Sequence, residues 1–504
     1  MKPFKKYVIP ALCIFNVVIH LSAIFFMEFH RDELLYFSLS NHLDLGYPSV
    51  PPMISWLAWV AKTLFGFSPF AVKVFPAILS GFFVYLTSLI AKELGGKFYA
   101  QVLTAIALMC TPLALRAFIL FQPVPFDIFF WTLTLYLILK YVNHKQDRSL
   151  LLLGLTLGLA LLNKYLILFL LIGIVPTIAI SRHREVFTKR SFYLALGITI
   201  LIVSPNVVWQ VINDFPVLTH MAQLEERQLQ NVSKIEFLSG QALMFLGSII
   251  VAIVGLIYLL WQEKYRFFAI SSIVVLLILM FMNAKAYYAA GLYPFLIAAG
   301  GVAIENQAKN LILRSAIVIG IVLIILPVSP LGIPFMQPER MAKYLDRLET
   351  WGIPTNRIHE DREKHPLPQD YADMLGWYDI AESARLAYDK VENKETIAIY
   401  GENYGIAGAV SLINASHGMP EVLSFSDAFG YWIPEKFEPD VEALIYINDE
   451  MGNRVKALFD DIQVIGRVDD PLSRQLGVTT YLCQKPNRSF NEFWQETLVL
   501  VRAD

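Results

Sequence analysis

Residues 7–33 read YVIPALCIFNVVIHLSAIFFMEFHRDE, and the fold turns on how this stretch is read. The run 7–29 is long and apolar. An α-helix rises about 1.5 Å per residue, so about 20 such residues match the hydrocarbon core of a bilayer. Lys2, Lys5 and Lys6 precede the run, as in a secretory signal. No small-residue cleavage site follows, so the reading is a retained first transmembrane helix. The stretch ends on His30-Arg31-Asp32-Glu33, which sets two adjacent acids at the end of a membrane helix.

Ten further apolar runs follow, at about 70–91, 99–118, 126–142, 150–163, 165–181, 191–211, 238–260, 267–283, 286–304 and 313–330. The expected fold is a polytopic α-helical membrane protein of about 11 transmembrane helices. After Pro330 the chain becomes charged, aromatic and rich in turns. Residues 1–330 are therefore expected to form the membrane domain and 331–504 a soluble α/β domain. Composition agrees: of 504 residues, 56% are hydrophobic and 17% charged, where soluble domains carry about a quarter charged. A single soluble globule is excluded. The 41 basic and 43 acidic residues give a net charge of −2, so no nucleic-acid partner is expected.

Lysine and arginine bias sets the orientation. With the N-terminus cytoplasmic, the inner ends hold sixteen basic residues, several of them in SRHREVFTKR at 181–190. The outer connections hold about eight, Arg227 among them. Eleven crossings then place the C-terminal domain outside the cytoplasm, and the expected location is the cytoplasmic (inner) membrane. Cys13 and Cys110 fall in spans and Cys483 is alone in the soluble domain, so no disulfide is expected there.

Charge at membrane depth is costly, which makes each such residue a functional candidate. Asp32 reads as a general base facing a cavity at the membrane surface, with Glu33 beside it. The bland alternative is that both simply meet water at a span end. Two short surface helices are expected at 34–43 and 53–65, joined through Gly46-Tyr47-Pro48 and Pro51-Pro52, with Trp56 and Trp59 at interfacial depth. Asp127 opens the fourth span, where the helix dipole alone would account for it. The stretch 150–181 is interrupted at Asn163-Lys164-Tyr165. Broken backbone is tolerated in a bilayer only where it is buried in protein or lines a cavity. Lys164 would then direct a cation at an anionic group, and Lys285, followed by Tyr287 and Tyr288, reads similarly. Either lysine could instead snorkel to the interface. Acids at 32, 33 and 127 with cations at Arg31, Lys164 and Lys285 suit transfer from a phosphate leaving group. A carboxylate takes the proton of the incoming hydroxyl, and fixed cations stabilise the departing phosphate.

These pieces resemble, in order, the bacterial branch of the glycosyltransferase family 39 group. That group includes protein O-mannosyltransferases and is related to the lipid A aminoarabinose transferases, all of the GT-C membrane fold. The resemblance rests on Arg31-Asp32-Glu33-Leu34-Leu35-Tyr36, Gly46-Tyr47 with Pro51-Pro52, and Ser68-Pro69-Phe70 through Leu94-Gly95-Gly96. It continues in Phe121-Gln122-Pro123-Val124-Pro125-Phe126-Asp127 with Trp131, and in Asn163-Lys164-Tyr165. It is completed by Pro205-Asn206 with Trp209-Gln210, and by Ala286-Tyr287-Tyr288 with Tyr293-Pro294. It implies a polyprenyl-phosphate sugar donor, an active site facing membrane lipid at the outer face of the cytoplasmic membrane, and inversion at the sugar carbon. The acceptor hydroxyl or phosphate is left open among protein, lipid and glycan. It implies Asp32 as base with Glu33 beside it, Asp127 as a supporting acid, and Lys164, Lys285 and Arg31 around the donor phosphate. Tyr47, Tyr165, Tyr287 and Tyr288 are expected to line the substrate cavity. The chain departs from the family at Ser49-Val50, where members often carry a polar pair such as Asp-His before the double proline.

In the soluble part, strands are expected at 396–400, 443–447 and 479–483 and helices at 405–414 and 454–461. The loop Gly401–Gly405 lacks G-x-G-x-x-G spacing, so no cofactor is expected. No cluster with metal-ligand spacing is read, and His20 and His42 are read as structural. The segment Asn403-Tyr404-Gly405 with His417-Gly418-Met419-Pro420 resembles the tail of the same family. The competing reading is a polyprenyl-lipid flippase or transporter. Transporters commonly carry internal repeats, and none is read in 1–330.

Overall fold

The computed structural model describes residues 2–227 and 232–503. The side chains of Lys2 and Arg227, both counted in the charge bias, lie outside the described residues. The chain forms two compact units. The first comprises residues 1–23, 44–54 and 73–333 and the second 24–43, 55–72 and 334–504.

The first unit is helical and membrane-embedded. Among the described residues, six helices are long and apolar enough to cross a bilayer: Lys5–Phe25, Pro69–Glu93, Pro123–His144, Arg190–Ile212, Ala286–Gln307 and Leu311–Gly332. A seventh is a broken pair, Lys234–Met244 and Ile249–Trp261, bent by 102°. Gly247 supplies the positive φ (78°) at that bend, a conformation strained for residues with a Cβ. The reading of eleven full-length spans is thus coarser than the structure. The runs at 99–118, 150–163, 165–181 and 267–283 form the helices Phe98–Met109, Asp147–Asn163, Ile167–Ala179 and Arg266–Phe281, of 12 to 17 residues. Hydropathy counts apolar residues and does not see where a helix stops. At Thr111-Pro112 the backbone restarts, the Thr111 hydroxyl accepting from Ala114 N at 3.2 Å.

Where helices touch in this unit, small residues allow close approach, as lipid-embedded packing requires. A Cβ on Gly255 would overlap the Leu296 carbonyl, and one on Gly300 the Val251 carbonyl. Helix Arg190–Ile212 turns Leu194, Ile200, Leu201, Val208 and Ile212 outward. In water that face would be unfavourable; against lipid it needs no cover.

The second unit carries a five-stranded sheet in the order β2-β1-β3-β5-β4. Its strands are β1 (Ile397–Gly401), β2 (Val422–Leu423), β3 (Ala443–Asn448), β4 (Phe459–Arg467) and β5 (Thr479–Pro486). β2, β1 and β3 run parallel, and β3-β5-β4 are antiparallel, so the sheet is mixed. Along β3 alternate side chains face opposite ways. Leu444 and Tyr446 meet Phe490, Phe493 and Trp494 of the helix Phe490–Ala503. Helices Trp377–Lys390 and Tyr404–Ile413 pack on the sheet and on each other. The helix expected at 454–461 stops at Leu458, and the chain continues as β4, paired along its length with β5.

Helix Arg31–Leu39 belongs to this unit and lies against helix Tyr404–Ile413. A Cβ on Gly408 would come within 3.0 Å of the Leu34 carbonyl, so glycine permits the contact. Leu34, Phe37 and Leu39 are fully buried.

Candidate active site

The acidic pair is built by its own helix start. His30 is the N-cap: its Nδ1 accepts from Asp32 N at 3.1 Å, and Glu33 Oε2 accepts from His30 N at 2.8 Å. This reciprocal arrangement satisfies two backbone donors that a helix start otherwise leaves open. Glu33 is fully buried in that role. Asp32, one residue earlier, keeps its side chain 32% exposed. The two acids, alike in sequence, are therefore placed in different surroundings.

Tyr404 Oη donates to Asp32 Oδ1 at 2.9 Å. The Arg31 guanidinium lies over the same tyrosine ring, 4.5 Å from its centroid. Burial, with the Asp32 charge beside it, pushes the Tyr404 phenol well above its usual range, so it stays protonated and donates. Asn403 fixes the tyrosine's helix, its Oδ1 accepting from Gly405 N and Ile406 N at 3.0 and 3.2 Å. That N-terminus is already capped from within.

Behind the pair stands a charged layer, buried at His30 and Asp373 and exposed at Asp370. His30 Nε2 lies 3.8 Å from Asp370 Oδ1, and Asp373 pairs with Arg474 at 3.0 Å. Burial opposes protonation of His30, but Asp370, Asp32 and Asp373 outweigh it and hold its pKa above the ordinary value. Glu28 accepts from Trp377 N at 2.8 Å, and burial raises its pKa.

In the first unit a separate cluster gathers around Lys164. Its ammonium lies 5.2 and 5.3 Å from the ring centroids of Tyr287 and Tyr288, and its charge acts on Asp127. Asp127 is buried on the helix Pro123–His144, one turn from Trp131, whose Nε1 donates to its Oδ1 at 3.2 Å. The expected break is real: the helix ends at Asn163 and Lys164 is extended. Asn163 Nδ2 ties the break to the Pro123 carbonyl at 3.0 Å. Gly291 lies flat on Trp131, so the segment Ala286–Leu292 meets the Asp127 helix closely. Lys285 immediately precedes that segment.

Tyr165 and Tyr47 fall on a neighbouring seam of the same unit. Tyr165 Oη donates to Asn206 Oδ1 at 2.6 Å, and Asn206 Nδ2 donates to the Leu45 carbonyl at 2.7 Å. Gly46 rests on the Trp209 ring, where any Cβ would clash. Tyr47 is buried, its hydroxyl accepting from Asp44 N at 3.0 Å.

The structure thus joins Asp127, Lys164, Tyr287 and Tyr288 in one unit, and Arg31, Asp32 and Glu33 with Tyr404 in the other. Tyr404, His30 and Asp370 were not singled out for the site by sequence reading. Tyr404 stands within a segment that resembles the family, but nothing in a single sequence ties it to Asp32.

Residues 49–209 match the family described as dolichyl-phosphate-mannose-protein mannosyltransferase. Over these residues the chain is similar to that glycosyltransferase family. It is 26% identical over 277 residues to lipid A galacturonosyltransferase RgtD of Rhizobium johnstonii, a match covering 52% of this chain and 57% of RgtD. The chain thus spans a little over half the length of that relative. Its fold is that of ArnT from Cupriavidus metallidurans bound to undecaprenyl phosphate, with TM-score 0.64 at 13% identity over 94% of this chain and 97% of ArnT. Apo ArnT gives 0.63 over the same coverage.

Proposed function

We propose that this protein moves a sugar from a polyprenyl-phosphate donor to a hydroxyl or phosphate on a membrane-lipid acceptor. The single observation that carries the reading is the Asp32 carboxylate, held by Tyr404 yet a third exposed at the start of a buried helix. The names of the relatives support it: RgtD acts on lipid A, and ArnT was solved with undecaprenyl phosphate.

In the proposed step Asp32 accepts the acceptor's proton. The acceptor oxygen forms a bond to the sugar's anomeric carbon as the bond from that carbon to phosphate oxygen breaks. Polyprenyl phosphate leaves with the electron pair, and the centre inverts. Lys164 and Lys285, with Arg31, are proposed to stabilise the phosphate charge. Asp127 is proposed to orient Lys164, and Glu33 to hold the helix start that presents Asp32. Tyr47, Tyr165, Tyr287 and Tyr288 are proposed as cavity residues. Residues 1–330 are proposed as the membrane catalytic domain, crossing the inner membrane eleven times with the shorter helices included. On that count the N-terminus is cytoplasmic and residues 331–504 are extracytoplasmic.

The test is label transfer from a panel of radiolabelled polyprenyl-phosphate sugars to membrane lipids, with wild type and Asp32→Asn. Transfer by wild type alone supports the reading. Label crossing sealed vesicles with no transfer from any donor replaces it with the flippase.

A further inference from the structure

We propose that His359, Asp361 and His365 form a site for one divalent transition-metal ion of the zinc type in the second unit. Sequence reading finds no ligand cluster here. The three residues are brought together by a tight hairpin in which Ile358 pairs with Lys364. His359 N donates to the Glu363 carbonyl at 3.1 Å and His365 N to the Arg357 carbonyl at 2.9 Å. Arg362, at φ 65°, makes the turn. One donor atom from each of His359, Asp361 and His365 then lies within 4.8 Å of the others.

A second observation concerns the tautomer. His359 Nε2 lies 2.9 Å from the Leu367 carbonyl. A carbonyl only accepts, so Nε2 carries the proton and Nδ1 keeps its lone pair. Metal-binding histidines are commonly held this way, the far N–H on a carbonyl and the near nitrogen on the ion. The two imidazoles stack, 3.9 Å apart and 15° from parallel. His365 Nε2 meets Asp361 Oδ2 at 2.7 Å.

The hairpin's base and His359 are buried, while the other two donors are partly exposed. Arg357 is buried and bonded to Asp346 at 2.8 Å and to Glu349 at 3.0 Å. Asp361 and His365 keep side chains 50% and 34% exposed. Zinc binds nitrogen and oxygen at about 2.0–2.2 Å, so tetrahedral ligands stand about 3.3 Å apart. Rotation of two partly exposed side chains closes that gap. Two imidazoles and one carboxylate suit zinc and its neighbours. Calcium and magnesium, which want six or more oxygens, do not fit. Three protein ligands leave a fourth position to water.

The hairpin is also wired to the layer behind Asp32. Glu360 N donates to Gln369 Oε1 at 2.9 Å, and Glu360 pairs with Arg474, which pairs with Asp373. Gln369 opens the short helix that carries Asp370, the neighbour of His30. A bound ion would order this segment.

The experiment uses the full-length chain in detergent, purified with a histidine-free tag, stripped with chelator and equilibrated with about 10 µM zinc. Metal is counted by mass spectrometry after desalting. The expected result is one zinc per chain, lost in His365→Ala and in Asp361→Asn, retained in His42→Ala, and not displaced by millimolar calcium or magnesium. Zinc should raise the melting temperature of wild type and not of His365→Ala. Both lost-ligand positions are partly exposed, and unchanged apo melting curves verify that the variants fold. No zinc on wild type, or the same zinc content in His365→Ala and Asp361→Asn, overturns the proposal.

Discussion

Tyr404 Oη donates a 2.9 Å hydrogen bond to Asp32 Oδ1 across 372 residues of sequence, and the Arg31 guanidinium lies on the same ring. The phenol is buried, protonated and fixed by the Asn403 cap, so it orients the carboxylate without taking its second oxygen. Hydrogen bonds to charged groups contribute about 1.5–3 kcal/mol. Tyr404→Phe should therefore lower kcat about 10-fold or more while leaving the donor KM within about 2-fold. Steady-state kinetics with saturating acceptor checks this, and an unchanged kcat would leave Tyr404 a packing residue.

Asp32→Asn keeps the size of the side chain and removes its ability to accept a full proton. General-base catalysis is worth about 10²–10⁴-fold, so turnover should fall by at least 100-fold with melting temperature nearly unchanged. Glu33→Ala should act first on stability, lowering the melting temperature with a smaller loss of turnover than Asp32→Asn. Glu33→Ala removes the carboxylate that accepts from His30 N, and lost caps cost about 0.5–2 kcal/mol. Comparing melting and turnover for the two variants separates the acid proposed to react from the acid that builds the helix. Equal turnover losses at equal stability would sink that distinction.

Much of this arrangement is legible from sequence, for identifiable reasons. The break at Lys164 shows because a polar Asn-Lys-Tyr interrupts an apolar run, and the structure ends the helix there. Gly46 and the prolines mark a turn, and that turn seats on Trp209. The helix ends inside apolar runs are hidden, because Thr111 and Gly247 change backbone direction without changing hydropathy. β4 is misread because Phe459–Arg467 carries acids that spoil its alternation, and only pairing with β5 reveals it as a strand. Tyr404 and the His359 hairpin are missed for a different reason. Each depends on a contact made after the chain folds.

Lys164 sits against two tyrosine rings with its charge acting on Asp127. If it holds the donor phosphate, Lys164→Ala should raise the donor KM about 10-fold or more and change the acceptor KM little. Lys164→Arg should recover part of the loss, because a cation remains. Titration of undecaprenyl phosphate as an inhibitor gives an independent reading, with weaker inhibition expected in Lys164→Ala. Inhibition equal to wild type would remove Lys164 from the phosphate site.

The last prediction concerns acid. Hydrogen bonds from Arg357, Lys364 and Thr355 hold Glu349 down at a pKa of about 2, below the ordinary 4.5. A group whose folded pKa is depressed stabilises the fold above its unfolded value, and that stability is lost as pH falls through the folded one. The Glu349 contribution is therefore complete above pH of about 5 and fades between about 4.5 and 2. The carboxylate is partly exposed, so salt should weaken the effect. Thermal unfolding of wild type should lose stability through that window more steeply than Glu349→Gln, whose side chain does not titrate. Parallel pH curves for the two proteins would show that the Arg357 pair does not anchor the hairpin.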